Sequence, residues 1–289
     1  MENFISAMAK TGDFVCYVID STDIAARAEQ IHKTSSVVTA ALGRLLTAAS
    51  LMGARLKGDN ESLNLQLKGN GPVGSILAIG ESSGNVRGYA QNPLVELPLN
   101  ENGKIDVAGA VGKDGFLYVV RDFGFGEPYI GSTPIVSGEI AEDITHYYAT
   151  SEQTPTACAL GVLVNTDLTV LNAGGFIVQV LPDAAEDVID IMEANINVMP
   201  PITQLLSEGK FPEDIAGMLF TGIEYDILDR RTTEYQCNCS PERAVRILST
   251  LDANDLEELA QEQPMTEVDC HFCSKKYRYS SDEIRSLIE

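Results

Sequence analysis

The pattern of hydrophobic and polar positions predicts a mixed domain over residues 1–181. Between residues 34 and 56, apolar side chains recur at helical spacing, which predicts a long helix with a buried face. Short apolar stretches punctuated by Gly, Asn and Pro predict antiparallel strands in the rest of this region. The predicted strands are 14–19, 62–68, 75–79, 86–90, 116–122, 129–136, 155–164 and 169–181, and the predicted helices are 23–30, 34–56 and 139–152. The expected fold class is α+β, with an N-terminal mixed α/β core domain.

The pattern changes at residue 182, and residues 182–231 are predicted to form a helical linker. Prolines at 182, 200–201 and 212 stand where helices would begin, because proline suits the first helical turn. The apolar positions of the first of these helices form one stripe: Val188, Ile191, Met192 and Ile196. Short helices are marginal alone, so the order of this linker is expected to depend on a partner surface.

Residues 232–289 are predicted to form a small C-terminal module that contains two close pairs of cysteines. The pairs are Cys237 with Cys239 and Cys270 with Cys273. Four thiolates are the ligands of a tetrahedral Zn²⁺ ion, and thiolates are also the species that oxidants attack. The module is too small for much core, so zinc should supply much of its folding free energy, on the order of 10–16 kcal/mol as in finger peptides.

The spacing alone leaves more than one interpretation of these cysteines. A C-x-x-C pair is typical of a metal knuckle, whereas C-x-C is an unusual partner pair. A structural zinc staple without redox chemistry uses the same residues, and constitutive disulfides are less compatible with a chain that shows no feature of secretion. Cys16 and Cys158 stand alone in apolar runs and are expected to be buried core residues.

Charge and composition limit the partners of the chain. Its net charge is -22, so it should repel phosphate backbones, and nucleic acid is not expected as a partner. Residues 1–14 lack a basic stretch followed by an apolar one, and no apolar run approaches the roughly 18–20 residues of a membrane helix. A cytoplasmic protein without a membrane partner is therefore expected.

Other motifs do not predict an enzyme. The segment 69–74 matches G-x-G-x-x-G, but Pro72 removes a backbone amide and a strand follows, which favours a hairpin turn over a dinucleotide site. The histidines lie far apart in the sequence, and His271 is expected to be a solvated residue beside four cysteines that already complete a tetrahedral shell. No catalytic residues are assigned.

Four stretches of the sequence carry a family resemblance. They are Tyr235-Gln-Cys-Asn-Cys-Ser-Pro-Glu-Arg-Ala244 with Val268-Asp-Cys-His-Phe-Cys-Ser-Lys-Lys-Tyr277, Asp122-Phe-Gly-Phe-Gly-Glu-Pro-Tyr-Ile-Gly131, and the segment from Gly138 to Tyr147. The chain resembles the bacterial redox-regulated heat-shock chaperone family, heat shock protein 33, over its whole length. The C-x-C and C-x-x-C combination with this gap is highly characteristic of that family.

The resemblance implies an ATP-independent holdase, a chaperone that binds unfolding proteins and prevents their aggregation. In the reduced form of the family's members, four thiolates bind one zinc ion and the protein is inactive. Oxidation gives disulfides between near neighbours, here Cys237–Cys239 and Cys270–Cys273, with release of zinc, unfolding of the redox-switch module at 232–289 and loss of order in the linker. Exposed apolar surface then binds clients, commonly in a homodimer. The stripe at Val188, Ile191, Met192 and Ile196 is the predicted client-binding surface.

Rival functions come from other classes of protein. A zinc-ribbon nucleic-acid module shares the cysteines but should have a basic face, and residues 232–289 carry 12 acidic and 6 basic side chains. A thiol–disulfide oxidoreductase needs a low-pKa C-x-x-C at a helix start, whereas the second pair is predicted in a hairpin. A zinc-stapled binding module remains as a further alternative.

Overall fold

The computed structural model describes residues 2–288 and divides into two compact units, the first ending at Gln236 and the second beginning at Cys237. The elements of the first unit are β1 (Phe4–Ala9), β2 (Phe14–Asp20), α1 (Thr22–His32), α2 (Ser36–Gly53), β3 (Ser62–Lys68), β4 (Ser75–Glu81), β5 (Val86–Ala90), α3 (Val107–Val111), β6 (Phe116–Asp122), β7 (Tyr129–Pro134), α4 (Ala141–Thr150), β8 (Thr156–Val164), β9 (Val170–Val180), α5 (Glu186–Asn197), α6 (Ile202–Ser207), α7 (Pro212–Leu219) and β10 (Tyr225–Arg231). Those of the second are α8 (Pro241–Leu248), α9 (Ala253–Glu262), β11 (Met265–Asp269), β12 (Lys276–Ser280) and α10 (Ser281–Arg285).

Two five-stranded sheets and a central helix build the first unit. The strand order is β10-β1-β2-β9-β8 in the first sheet and β5-β4-β3-β6-β7 in the second, and the neighbouring strands pair antiparallel. Helix α2 lies between the sheets, packed on β8 and β9 of the first and on β3, β4 and β5 of the second. The predicted α+β fold class is confirmed, and each strand and helix predicted before residue 182 is present with small shifts at its ends.

The first sheet is buried on both faces. On one face, side chains such as Phe4 and Ile19 join α1, α2 and the inner face of the second sheet in one apolar cluster. On the other face, Phe14, Cys16 and Val18 of β2 pack under α5, α6 and α7. We call this second group the linker cluster; its buried members are Ile5, Ala7, Ala9, Phe14, Cys16, Val18, Phe176, Val178, Met192, Ile202, Leu205, Leu206, Ile215, Ala216, Leu219 and Phe220.

Helix α2 is 18 residues long and apolar enough to span a membrane by length and composition. The sequence analysis expected no apolar run of membrane length. Arg44 interrupts the run, but the helix as a whole stays apolar. In the structure 89% of the segment is buried, and Arg44 forms an ion pair with Glu139. The helix is therefore the core helix of the first unit.

The linker region agrees with the sequence in its helices and differs in its last part. Helices α5, α6 and α7 follow the prolines as predicted. Residues 225–231, predicted as part of a helical segment, instead form β10, which pairs antiparallel with β1. The side chains of β10 alternate between half-buried and exposed, and β1 supplies the backbone partners that a strand requires. The predicted boundary at residue 231 thus falls inside the first unit, which ends at Gln236.

Three other elements, β1, α3 and α9, were not predicted. Strand β1 is short, and it takes its place in the sheet from pairing with β2 and β10. Helix α9 begins at a cap in which the Asp252 carboxylate accepts from the backbone N–H groups of Asn254 and Asp255. This cap is visible in the sequence as an Asp before an amphipathic stretch, and it could have been found there.

Candidate metal centre

The first pair of cysteines lies in the chain that leads into α8. Ser240 follows directly, and its hydroxyl accepts from the backbone N–H of Arg243 to cap the helix. Pro241 at the first helical position fixes where the helix begins. The non-helical segment that holds Cys237 and Cys239 therefore ends where Ser240 and Pro241 begin the helix.

The second pair lies at the tip of the hairpin formed by β11 and β12. The carbonyl of Cys270 accepts from the backbone N–H groups of Cys273 (3.3 Å) and Ser274 (2.8 Å), and the N–H of Cys270 donates to the carbonyl of Lys275 (2.9 Å). Ser274 has φ of +57°, the left-handed conformation that closes this turn. The predicted hairpin with a cysteine knuckle at its tip is confirmed.

The structure brings all four thiols together. Their sulfur atoms lie within 4.8 Å of one another, with 3.6 Å between Cys237 Sγ and Cys270 Sγ and 3.4 Å between Cys239 Sγ and Cys273 Sγ. A tetrahedral zinc ion with Zn–S bonds of roughly 2.3 Å requires sulfurs about 3.8 Å apart. The four thiols are free and partly buried, so the donor set and its spacing fit such an ion.

A tyrosine outside the cysteine pairs completes the site. The Tyr277 hydroxyl of β12 donates to Cys239 Sγ across 3.1 Å. Burial opposes ionisation of Cys239, but hydrogen bonds from Tyr277 and the neighbouring thiols outweigh it and lower the pKa of Cys239 to about 7. Burial raises the pKa of Cys237 and of Cys273, so the pocket favours the Cys239 thiolate over those of Cys237 and Cys273. Tyr277 and Tyr279 follow the cysteine knuckle two residues apart, the spacing of side chains on one face of a strand. This spacing is the sequence signal that could have identified the contact.

The second unit has only a small apolar core behind the thiols. Its buried members are Ala244, Leu248, Leu256, Ala260, Tyr277, Tyr279 and Ile284. The Tyr279 hydroxyl donates to the Pro241 carbonyl (3.0 Å), which ties β12 to the start of α8. Ser280 and Glu283 form a capping box at the start of α10. A core of this size is typical of small domains that a metal or disulfides stabilise.

The other sulfur and nitrogen candidates lie apart from this site. His271 is exposed, and within residues 2–288 the group of His, Cys, Asp and Glu ligand atoms close enough to share an ion consists of the four cysteines. Cys16 is fully buried in the linker cluster, and Cys158 packs against the cluster between the two sheets. Burial raises the pKa of each to about 12, which suppresses thiolate chemistry.

The predicted apolar stripe is divided by the structure. Met192 is 2% exposed within the linker cluster, and Val188 and Ile196 pack against that cluster. Ile191 is 40% exposed and lies outside it. The helix therefore presents Val188, Met192 and Ile196 to the first sheet, while Ile191 faces away from the buried surface.

Comparisons with known proteins converge on one family. Residues 2–280 match the family model described as Hsp33 protein. The chain is 46% identical over 290 residues to the 33 kDa chaperonin of Acetivibrio thermocellus (100% of this chain, 98% of the relative) and 45% identical over 285 residues to that of Clostridioides difficile (99% and 98%). It also matches the crystal structure of the 33 kDa chaperonin (heat shock protein 33 homolog) of Thermotoga maritima, with a TM-score of 0.91, 36% identity, and coverage of 100% of this chain and 98% of that chain.

Proposed function

We propose that this chain, which belongs to the Hsp33 family of chaperones, is a redox-regulated, ATP-independent holdase that binds zinc when reduced and binds unfolding proteins when oxidised. The observation that carries the proposal is a cluster of four thiols in a unit with a very small core. In such a unit the state of the thiols decides whether the fold persists.

In the reduced state, Cys237, Cys239, Cys270 and Cys273 would hold one zinc ion as thiolates. When bound, the ion supplies folding free energy that the apolar core of residues 237–289 lacks, on the order of 10–16 kcal/mol in comparable small peptides. The hydrogen bond from Tyr277 to Cys239 orients one ligand and stabilises its negative charge. The reduced unit is then folded and the chaperone is inactive.

Oxidation changes the chemistry of the same four sulfurs. A cysteine thiolate attacks a peroxide O–O bond to give a sulfenic acid and hydroxide, and a second thiolate displaces a further hydroxide to form the disulfide. Two peroxide molecules thus convert four thiolates into two disulfides. The family resemblance implies the pairs Cys237–Cys239 and Cys270–Cys273, and all four sulfurs lie close enough for rearrangement into either pairing. Disulfide sulfurs no longer provide the charge that retains the metal.

The unfolding of the second unit is proposed to reach residues 182–231 through the continuous chain. In the closed structure, Val188, Met192 and Ile196 cover an apolar face of the first sheet. Loosening of α5 exposes both surfaces, and these are the proposed client-binding surfaces, with Ile191 contributing at the margin. Residues 181–231 carry 11 acidic and 3 basic side chains, a net charge of -8, which keeps the opened form in solution.

The active form is proposed to be a cytoplasmic homodimer whose partners are unfolding proteins. The net charge of -22 disfavours nucleic acid as a partner, because phosphate backbones are repelled by an acidic surface. Light scattering of the reduced and oxidised protein measures the change in mass. A mass that stays monomeric while the oxidised protein protects its clients would remove the dimer from the proposal.

Aggregation suppression before and after oxidation tests the function. The reduced, zinc-loaded protein should leave the light scattering of a heat-denatured protein unchanged, and peroxide treatment at elevated temperature should release zinc and suppress the scattering. Re-reduction with zinc should restore the inactive form. Equal protection by the reduced and oxidised protein at moderate temperature would refute the switch, and turnover of a small disulfide substrate would favour an oxidoreductase.

A further inference from the structure

The residues just before the first metal ligand form a short strap, which we define as residues 232–236. It runs parallel to β5, the outermost strand of the second sheet. The backbone N–H of Val86 donates to the carbonyl of Glu234 (3.0 Å), and the N–H of Gln236 donates to the carbonyl of Val86 (2.8 Å). Both hydrogen-bonding groups of Val86 therefore point away from β4 and are satisfied by the strap.

The backbone N–H and carbonyl of Gly88, the next outward-facing residue of β5, are hydrogen-bonded by a side chain. The Tyr235 hydroxyl donates to the carbonyl of Gly88 (2.8 Å) and accepts from the N–H of Gly88 (3.3 Å). His32 Nε2 lies 3.2 Å from the same hydroxyl, and its ring meets the Tyr235 ring edge to face. The Tyr235 phenol thus makes the hydrogen bonds that the backbone of a further paired residue would make, and it lies in a pocket formed by His32 and the β5 edge.

Side chains hold the strap at both ends. Asn85 accepts from the N–H of Glu234 (3.0 Å) and donates to the Gln236 side chain (2.7 Å). On the first sheet, Asn3 donates to the carbonyl of Thr233 (3.0 Å) and accepts from its N–H (2.8 Å). The strap is therefore fastened to both sheets, and the residue that follows it is the predicted zinc ligand Cys237.

An outermost strand with unpaired backbone groups is a template for pairing with another chain. We propose that the edge of β5 from Val86 to Gly88 is a docking site for an extended segment of an unfolding protein, which adds as a parallel strand once the strap has left. The strap itself shows the chemistry that an occupant needs. It makes two backbone hydrogen bonds to Val86 and places an aromatic side chain in the His32 pocket. This inference rests on the proposed function and assigns it a binding edge.

The position of the strap explains why the site is closed in the reduced protein. Two backbone hydrogen bonds and the Tyr235 phenol hold a stretch of five residues, and such a short segment stays paired only while its ends are fixed. Unfolding of the second unit frees the end at Gln236. The Val86 and Gly88 groups then need new partners, and extended chains supply them by strand addition.

Hydrogen exchange measures the release of the strap, and the binding of a peptide measures docking at the β5 edge. In the oxidised protein, the amides of Val86 and Gly88 should lose protection relative to the reduced protein. A fluorescent peptide with the sequence of residues 230–236 should bind the oxidised protein and not the reduced protein. The same peptide with Phe in place of Tyr235 should bind at least about fivefold more weakly, because both hydrogen bonds between the phenol hydroxyl and Gly88 are missing. Unchanged protection of both amides, or equal binding of the two peptides, would overturn the proposal.

Photocrosslinking locates a bound client. Tyr89 of β5 and Tyr129 of β7 lie on the two outermost strands of the same sheet, so p-benzoylphenylalanine at 89 has a matched control at 129. With reduced, carboxymethylated α-lactalbumin as the probe, capture at 89 should rise at least about fivefold on oxidation, and capture at 129 should not. Oxidised protein that suppresses aggregation without capture at 89 would overturn the docking edge alone. Oxidised protein that fails to suppress aggregation would overturn the proposed function and the docking edge with it.

Discussion

The Tyr277 hydroxyl donates a hydrogen bond to the sulfur of Cys239, with Oη and Sγ 3.1 Å apart. The two residues belong to different parts of the second unit, since Cys239 precedes α8 and Tyr277 lies on β12. The contact ties the first cysteine pair to β12, and Tyr277 is 8% exposed. Outer groups of this kind orient metal ligands and adjust their charge.

Replacement of Tyr277 by Phe should weaken zinc binding about tenfold, because the Cys239 ligand loses its hydrogen-bond donor. Competition with a chromogenic chelator measures the affinity. Tyr279→Phe is the matched control, since Tyr279 is also 8% exposed on β12 but donates to the Pro241 carbonyl. An equal loss of affinity in both variants would show that Tyr277 acts through stability of the unit and not through the sulfur.

A serine at any one of the four cysteine positions should sharply reduce zinc occupancy, because the shell loses a thiolate. Cys270→Ser is the clearest case, since Cys270 forms the turn at the hairpin tip through its backbone, which serine retains. Zinc content by mass spectrometry should fall from one ion per chain to well below one. Cys158→Ser should keep full occupancy, and full occupancy in Cys270→Ser would contradict the ligand assignment.

Cys16 should report the opening of the linker. It is 0% exposed under α5, α6 and α7, and burial raises its pKa to about 12. Exposure would return the pKa to about 8.5 and raise the thiolate fraction at neutral pH about three-thousandfold. After peroxide treatment and its removal with catalase, mass spectrometry should find Cys16 alkylated by iodoacetamide or oxidised.

Cys158 is the internal comparison for this measurement, because it packs between the two sheets and not under the linker. Its modification should change little on oxidation of the protein. Protection of Cys16 in an oxidised protein that binds clients would show that the linker stays in place. A parallel rise at Cys158 would indicate general unfolding of the first unit.

Aspartate substitutions at Met192 and Ile191 distinguish two effects of a charge in the apolar stripe of α5, namely opening of the linker and weaker client binding. Met192→Asp removes a side chain that is 2% exposed, so the packing of α5 should lose about 2–5 kcal/mol, and the buried charge adds to that cost. Faster hydrogen exchange across 182–231 and aggregation suppression without oxidation are expected.

Ile191→Asp changes a side chain that is 40% exposed, so it should leave the reduced form closed and weaken client binding after oxidation. Identical exchange in the two variants would contradict the packing described for α5, and exchange across 182–231 that stays unchanged on oxidation would remove the basis for both expectations.

Local signals predicted most of the elements and the composition of the candidate metal site. Apolar periodicity and turn residues located the strands and helices before residue 182, and prolines marked the starts of α5, α6 and α7. Strand β10 escaped this reasoning because its formation depends on pairing with β1, more than 200 residues earlier in the chain. The exposure of Ile191 was equally hidden, since one helical stripe does not reveal which of its edges meets the sheet.

The sequence by itself determined the chemistry of this protein, namely two cysteine pairs with metal-binding spacing, an acidic linker of short helices and a C-terminal module with room for little apolar core. Tertiary structure decided where that chemistry acts. It brought the four sulfurs within 4.8 Å, placed Tyr277 against Cys239, and laid residues 232–236 along the edge of β5. The physical reason is that ligand type and helix propensity are local properties, whereas sulfur distances and strand pairing join residues that are far apart in the chain and exist only after the backbone has folded.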